Sequence, residues 1–403
     1  MSELRRRHFL AASSAATVSM APLLAKAHIP ATVHTGPSAP RWNIVAVAPS
    51  SAKLPSAGAD YRGGVELGLA LHGLEQSSLQ WLYAGASPRK AVKDLQAVLA
   101  QHPDAQMVMG WIPPAMAAQA SPLLQERGLP MWISDTGADE TEVRRHHPLQ
   151  VRHSLELLTA TAELAKRVHA HLGARAVLSL GWHESGFDFV QAFQQQYRAM
   201  GGRVVATHIA GKPGQASEFD GLRYTLVQNR ADAIVALHSG PQAIRFAEWW
   251  QSHGRALPSQ SALAGMPWLA DHPATCHALT VGAWPSYAAA APEWQQRFDL
   301  ARLPWNAASL LGAEAGYSLG AALATLPSNT SAPTLIKAWR TQPLNGPRGP
   351  RQWQAQGHDS QGPLWAAAGG RTNNVSQPFH PRAKSAQSVH LARSGWVGGY
   401  LLT

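Results

Sequence analysis

The side chains that could do chemistry in this chain are its histidines, one serine flanked by acids, and tryptophans placed where strands end. Nineteen histidines raise the question of a metal site. Their densest group is His146-His147 with His153, beside Arg144 and Arg145. No His-x-Glu-x-x-His run or comparable ligand spacing occurs there, and the arginines repel a cation, so a solvated charged linker is the expectation. A serine nucleophile calls for Gly-x-Ser-x-Gly at a strand-to-helix elbow. The run "WHESGFD" sets Ser185 near His183, Glu184 and Asp188, but the glycine two residues before the serine is missing, and a triad is seldom drawn from one short stretch. "GADYRGG" and "GGRVV" lack the Gly-x-Gly-x-x-Gly form of a dinucleotide loop. Asp135 could act as acid or base only opposite a paired group. These residues favour binding over catalysis. The expectation is no enzyme, no metal and no cofactor, with a hydrolase as the weakest reading.

The elements that must position these groups follow a regular rhythm. With 403 residues, 45% of them hydrophobic, the chain can bury a large core and suits two domains better than one. The single cysteine, Cys276, excludes an intrachain disulfide and argues against a cysteine-ligated cluster. Residues 1–27 have the layout of an export signal: Arg5-Arg6-Arg7, then a weakly apolar uncharged stretch, then the small-x-small site Ala25-Lys26-Ala27 before His28. Arg6-Arg7-x-Phe-Leu also resembles a twin-arginine signal. With four Lys or Arg and one Glu, this segment contributes +3 of the formal +10 charge. The remaining basic residues are scattered, so nucleic acid is not an expected partner. No later run reaches about 18 continuous apolar residues, so the mature chain is expected to be soluble.

After a Pro/Ala/Thr-rich linker at 28–41, "NIVAVAP", "LQWLYAG", "AQMVMG" and "LPMWISD" read as strands. The helices between them include one with Ser87 at its cap and Pro88 in its first turn. A long helix is expected from Ser154 to His171, closed by Gly173. The rhythm then restarts with "RAVLSLG", "RVVATHI", "DAIVALH" and "SALAGM" as strands, and "HALTVGAW" as a linking strand. Strands alternating with helices at this spacing specify an α/β fold with mainly parallel sheets. "NAASLLGAEAGYSLGAALATL" reads as one long helix, and the segment from 345 as hairpins and loops. The ending "GWVGGYLLT" fits no pattern.

The order of these elements resembles a family. "NIVAVAPSSAKLPSAGADYRGGVELGLAL", "AQMVMGWIPPAMAAQASPLLQERGLPMWISDTG", the late helix and the turn "LNGPRGPRQWQAQG" are together similar to the periplasmic ligand-binding proteins of the branched-chain amino-acid type, over roughly residues 43 to 370. The resemblance implies two Rossmann-like lobes joined by crossover strands that close over a ligand. Lobe 1 would hold 42–150 and 278–341, and lobe 2 would hold 151–277 and 342–403, with 371–403 a C-terminal extension. It also implies a periplasmic solute-binding component of an ATP-driven importer, with a membrane permease as partner. A sensor of the same fold reporting to a membrane receptor or regulator is the alternative.

In such sheets the ligand lies beyond the carboxyl ends of the strands. The loops expected there are Ser50-Ser51, Gly110 to Pro113 and Asp135-Thr136 from lobe 1, and Trp182 to Gly186, His238-Ser239 and Met266 to Trp268 from lobe 2. The candidate ligand-binding residues are therefore Ser50, Ser51, Trp111, Ile112, Asp135, Thr136, Trp182, His183, Ser185, His238 and Met266. The resemblance implies a small hydroxyl after the third strand to hold an amino-acid carboxylate; Trp111 and Ile112 stand there. It also implies an acid near 266 for the ammonium, and "GMPWLAD" has none nearer than Asp271. A zwitterion needs partners for both charges. The ligand expected here is therefore a small aromatic or organic acid.

Overall fold

The computed structural model describes residues 41–139, 147–211, 218–219, 221–254, 262–342, 344–354, 359–369, 375–381 and 399–402. The expected export signal, nearly all of the expected linker, His146 with its neighbouring arginines, and most of the expected 371–403 extension lie outside the described residues.

The first lobe begins with β1 (Asn43–Pro49), α1 (Ala57–Ala70), β2 (Ser78–Ala84), α2 (Pro88–Gln101), β3 (Met107–Trp111), α3 (Pro114–Glu126), β4 (Met131–Asp135) and β5 (Gln150–Ser154). The five strands form a parallel sheet in the order β2-β1-β3-β4-β5. β3 and β4 are buried throughout, as befits a parallel sheet covered on both faces. Gly110 in β3 is required by its neighbour. Its φ is +147°, and a Cβ there would stand 2.2 Å from the Val47 carbonyl oxygen of β1. At the start of α2, Ser87 accepts a hydrogen bond from Lys90 N, with Pro88 in the first turn.

The second lobe continues with α4 (Leu157–His171), β6 (Arg175–Gly181), α5 (Asp188–Ala199), β7 (Arg203–Ala210), α6 (Leu222–Gln228), β8 (Ala233–Leu237), α7 (Gly240–His253), β9 (Ala262–Gly265) and β10 (Leu279–Gly282). The chain then returns through α8 (Pro292–Ala301), α9 (Ala307–Leu323) and α10 (Ala332–Thr341) to the short strands β11 (Leu344–Gly346), β12 (Gly349–Trp353) and β13 (Ser360–Gln361). It ends with β14 (Leu364–Ala368) and β15 (Gln377–Phe379) in a seven-stranded sheet ordered β15-β14-β10-β9-β8-β6-β7. β14 runs antiparallel to its neighbours β10 and β15, and the pairs among β10, β9, β8, β6 and β7 are parallel.

α9 returns to lobe 1 and packs along α1. The glycines that weaken α1 as an isolated helix are what permit this contact. A Cβ on Gly64 would meet the Ser309 carbonyl oxygen at 2.2 Å, and one on Gly316 the Val65 carbonyl oxygen at 2.2 Å. α9 itself is capped by Asn306, whose side chain accepts from Ala308 N and Ser309 N.

Three features differ from the sequence reading. The long helix expected from Ser154 begins at Leu157, because Gln150–Ser154 pairs with β4 as β5 and closes the first sheet. The strand in "HALTVGAW" does not link the lobes but pairs in the second sheet, between β9 and β14. Residues 344–354 and 359–361 lie against lobe 1 rather than lobe 2: β11 packs on α9, and Asp359 bridges to Arg152 of β5. Among the described residues up to β15 the chain therefore crosses between lobes three times, at Leu155-Glu156, after β10, and between β13 and β14. At the first crossing Glu156 takes a left-handed φ of +49°, uncommon for a residue with a Cβ, and its carboxylate pairs with Arg351.

Candidate functional site

The carboxyl ends of both sheets face each other, and the loops there meet. The loop after β1 carries Lys53 across to Glu184, which sits in a single turn of 3-10 helix after β6; the two form an ion pair. Glu184 Oε1 also accepts from Ser239 Oγ at 2.5 Å, at the start of α7. The loop after β4 reaches the start of α5, where Phe189 N donates to the Ala138 carbonyl at 2.9 Å and Asp188 N to Asp139 Oδ1 at 3.2 Å. The cleft is closed in this structure.

Its interior is aromatic on the lobe 2 side. His183, Phe187 and Phe189 surround the ring of Tyr400 at centroid distances of 6.0, 4.9 and 5.1 Å. On the lobe 1 side Trp111, Pro113, Thr136 and the Asp135–Arg152 ion pair line the same space. Trp111 is fixed by an edge-to-face contact with Tyr61 at 5.8 Å. The turn that follows offers no hydroxyl, and Pro113 and Pro114 offer no backbone N–H.

Charge in the cleft is matched internally. Burial alone would raise Glu184, but the Lys53 ammonium and the hydrogen bonds from Lys53 and Ser239 hold it below the ordinary carboxylate range. Burial pulls Lys53 down, with Glu184 opposing. His183 is lowered to about 4 by burial and by the Lys53 charge, so its imidazole is neutral at pH 7. Burial raises Asp135, with Arg152 at 2.6 Å and the Gly137 N–H acting the other way.

A second polar cluster has the outline of a catalytic triad. Ser134 Oγ lies 2.6 Å from His153 Nε2, and His153 Nδ1 lies 2.9 Å from Glu314 Oε1. All three residues are fully buried, and Ser134 Oγ also bonds Tyr61 OH at 2.8 Å, so it presents no face to an incoming carbonyl. Burial alone would raise Glu314, but the guanidiniums of Arg348 and Arg351, with His153, hold it far below the usual carboxylate range. The cluster ties β4, β5, α9 and the β11–β12 turn together as a structural unit. Among the described residues no group of three or more His, Cys, Asp or Glu is placed to hold a metal ion. His153 belongs to the buried cluster, while His147 lies near Gln125.

The structure sorts the candidate residues. Trp111, Asp135, Thr136 and His183 line or face the closed cleft. Ile112 does not: neighbours along an extended chain point to opposite faces, and with Trp111 inward Ile112 packs behind the sheet among Val45, Val47 and Met116. His238 is buried in lobe 2, with Nε2 2.9 Å from Ser179 Oγ and its ring against Phe219 and Phe246. Its neighbour Ser239 makes the cleft contact instead. Met266 is buried in the core. Ser50 is exposed, and Ser51 Oγ accepts from Leu54 N to shape the loop that presents Lys53. Trp182 is 42% exposed, and Ser185 donates to its carbonyl while lining a separate hollow on lobe 2. The residues that sequence reasoning misses are Lys53, Arg152, Phe187, Phe189 and Tyr400. Glu184 and Ser239 fall in the loops expected at the cleft but not among the candidate ligand-binding residues.

Two facing α/β lobes with three crossings and a closed cleft define a two-lobed binding protein. The periplasmic binding protein family matches residues 42–371, and the chain belongs to that family. Nothing among curated proteins matches it. Solved structures share the fold. A solute-binding protein of an ABC transporter from R. palustris, in complex with 4-hydroxybenzoate, has a TM-score of 0.65 at 18% identity over 84% of this chain and 96% of that one. Another from R. palustris, in complex with benzoate, has a TM-score of 0.65 at 20% identity over 84% and 95%. The branched-chain amino-acid substrate-binding protein of Streptococcus pneumoniae, in complex with isoleucine, has a TM-score of 0.63 at 13% identity over 85% and 100%.

Proposed function

We propose that this protein is the periplasmic receptor of an ATP-driven importer and that its solute is a small aromatic acid. The observation that carries the reading is the cleft itself. It holds an aromatic ring against His183, Phe187 and Phe189, and Glu184, the acid that could have met an amino-acid ammonium, is neutralised by Lys53. Thr136 and the Arg152 guanidinium line the opposite wall, where a carboxylate can be received. The family and the benzoate complexes of its structural relatives support the same direction.

Binding draws on the difference between open and closed forms. The solute contacts both lobes only when they close, so it stabilises the closed form by that difference in contact. A membrane permease then reads the closed surface. The twin-arginine-like start at Arg6-Arg7 supports export to the periplasm as a folded chain. Calorimetric titration of the purified chain with benzoate, 4-hydroxybenzoate, leucine and isoleucine tests the reading. The aromatic acids are expected to bind at least about 100-fold more tightly than the amino acids, a gap of about 2.7 kcal/mol. Binding of leucine or isoleucine with no response to either aromatic acid would sink it.

A further inference from the structure

The chain's own C-terminal turn lies in the cleft. Tyr400 is 1% exposed, its ring is enclosed by His183, Phe187 and Phe189 of lobe 2, and its hydroxyl donates to Glu184 Oε1 at 3.3 Å. On the lobe 1 side Gly399 backs directly onto Pro113, where a Cβ would come within 2.5 Å of the proline ring. Leu402 N donates to the Gly399 carbonyl at 3.1 Å, Leu401 takes a left-handed φ of +69°, and both leucines are buried in the core. The space left between Tyr400, Trp111, Thr136 and Arg152 is about 10 Å³, at the lower limit for a single water. With Tyr400 in place the cleft has no room for another ring.

We propose that Tyr400 is an internal occupant of the solute site, and that a phenolic solute enters by displacing it. The occupancy stands on the contacts above; the identity of the displacing solute rests on the aromatic-acid reading. The tyrosine also shows what the site prefers. It offers a ring slot with a carboxylate acceptor at the far end, so a solute with a hydroxyl opposite its acid group can replace both interactions. One without the hydroxyl leaves Glu184 with only its Lys53 and Ser239 donors and binds more weakly by the lost contact. A tethered occupant also sets a threshold, because the apparent affinity for solute falls by the fraction of molecules whose cleft is free.

The test uses the full chain, wild type and with Tyr400→Ala or Tyr400→Phe, and 4-hydroxybenzoate as the probe. Tyr400→Ala is expected to bind the probe at least tenfold more tightly than wild type, with Tyr400→Phe between them. Independently, amide hydrogen exchange at Leu402 should be slow in the ligand-free wild type, and faster once the probe is added or in Tyr400→Ala. That second readout needs only the wild-type chain, so the proposal stays testable if a variant does not fold. Equal affinity in wild type and Tyr400→Ala, or rapid exchange at Leu402 without ligand, overturns the proposal while leaving the aromatic-acid reading intact. A protected Leu402 amide that Tyr400→Ala exposes, in a chain that binds no probe, supports the occupancy and counts against the aromatic solute alone.

Discussion

Glu314 and Glu184 are both fully buried carboxylates held below their ordinary range by cations, yet they are built for opposite purposes. Glu314 takes a two-pronged contact from Arg348, a third contact from Arg351 at 3.4 Å, and the ring N–H of His153. Every partner belongs to the lobe 1 side, and Arg348 is anchored again on the Ser154 carbonyl at 2.8 Å. Glu184 takes one ammonium, Lys53, from the opposite lobe and hydroxyls from Ser239 and Tyr400. Guanidinium is planar, always charged and geometrically committed, whereas an ammonium on a flexible stem can leave and be hydrated. The pairing with arginine fixes a hinge, and the pairing with lysine makes a latch.

Breaking the fixed cluster should cost most. Glu314→Ala leaves the buried Arg348 guanidinium without a carboxylate, and urea unfolding should show a loss of about 3–5 kcal/mol; a change under about 1 kcal/mol would mean the cluster is not the anchor described. Acid comes next. His153 and His238, one beside each cluster, are both lowered to about 4 by burial. The unfolded chain takes up those protons below about pH 6.5, so stability is full above that pH and falls as pH drops toward 4. By pH 5 each histidine should have removed about 2 kcal/mol, and because His183 is also lowered to about 4, His238→Gln should reduce the slope of a pH series by about a third. Glu314, with its depressed value, holds its contribution until pH falls below about 4.3. The latch should cost least. In Lys53→Met the lobes can part and let Glu184 regain water, which caps the loss near 1 kcal/mol. The signature is a larger radius of gyration in small-angle scattering of the ligand-free chain, and an unchanged radius would show that Lys53 does not hold the cleft.

The alternation of strands and helices was legible because parallel strands buried on both faces read as apolar runs, and "NIVAVAP" or "AQMVMG" can be little else. β5 escaped because "QVRHS" looks like polar linker. Its histidine is buried and its arginine half-buried because Glu314, far away in sequence, and Asp135 on the neighbouring strand receive them. The glycines of α1 read as weakness and prove to be a contact surface, since propensity describes an isolated helix and not its neighbour. Within the site, the loops could be chosen from topology, but choosing between Trp111 and Ile112, or between His238 and Ser239, needs the face each residue presents. The Lys53–Glu184 pair spans 131 residues, and Tyr400 meets Glu184 across 216. No local pattern encodes such a meeting.

The three crossings have a thermodynamic consequence of their own. Because each lobe is covalently tethered to the other, closing is an intramolecular encounter, and the effective concentration of one lobe at the other's surface stays in about the millimolar range or above. One latch and a few backbone contacts are then enough to hold the cleft shut. A solute of only ten or so heavy atoms, far too small to glue two free proteins together, can decide between the two forms.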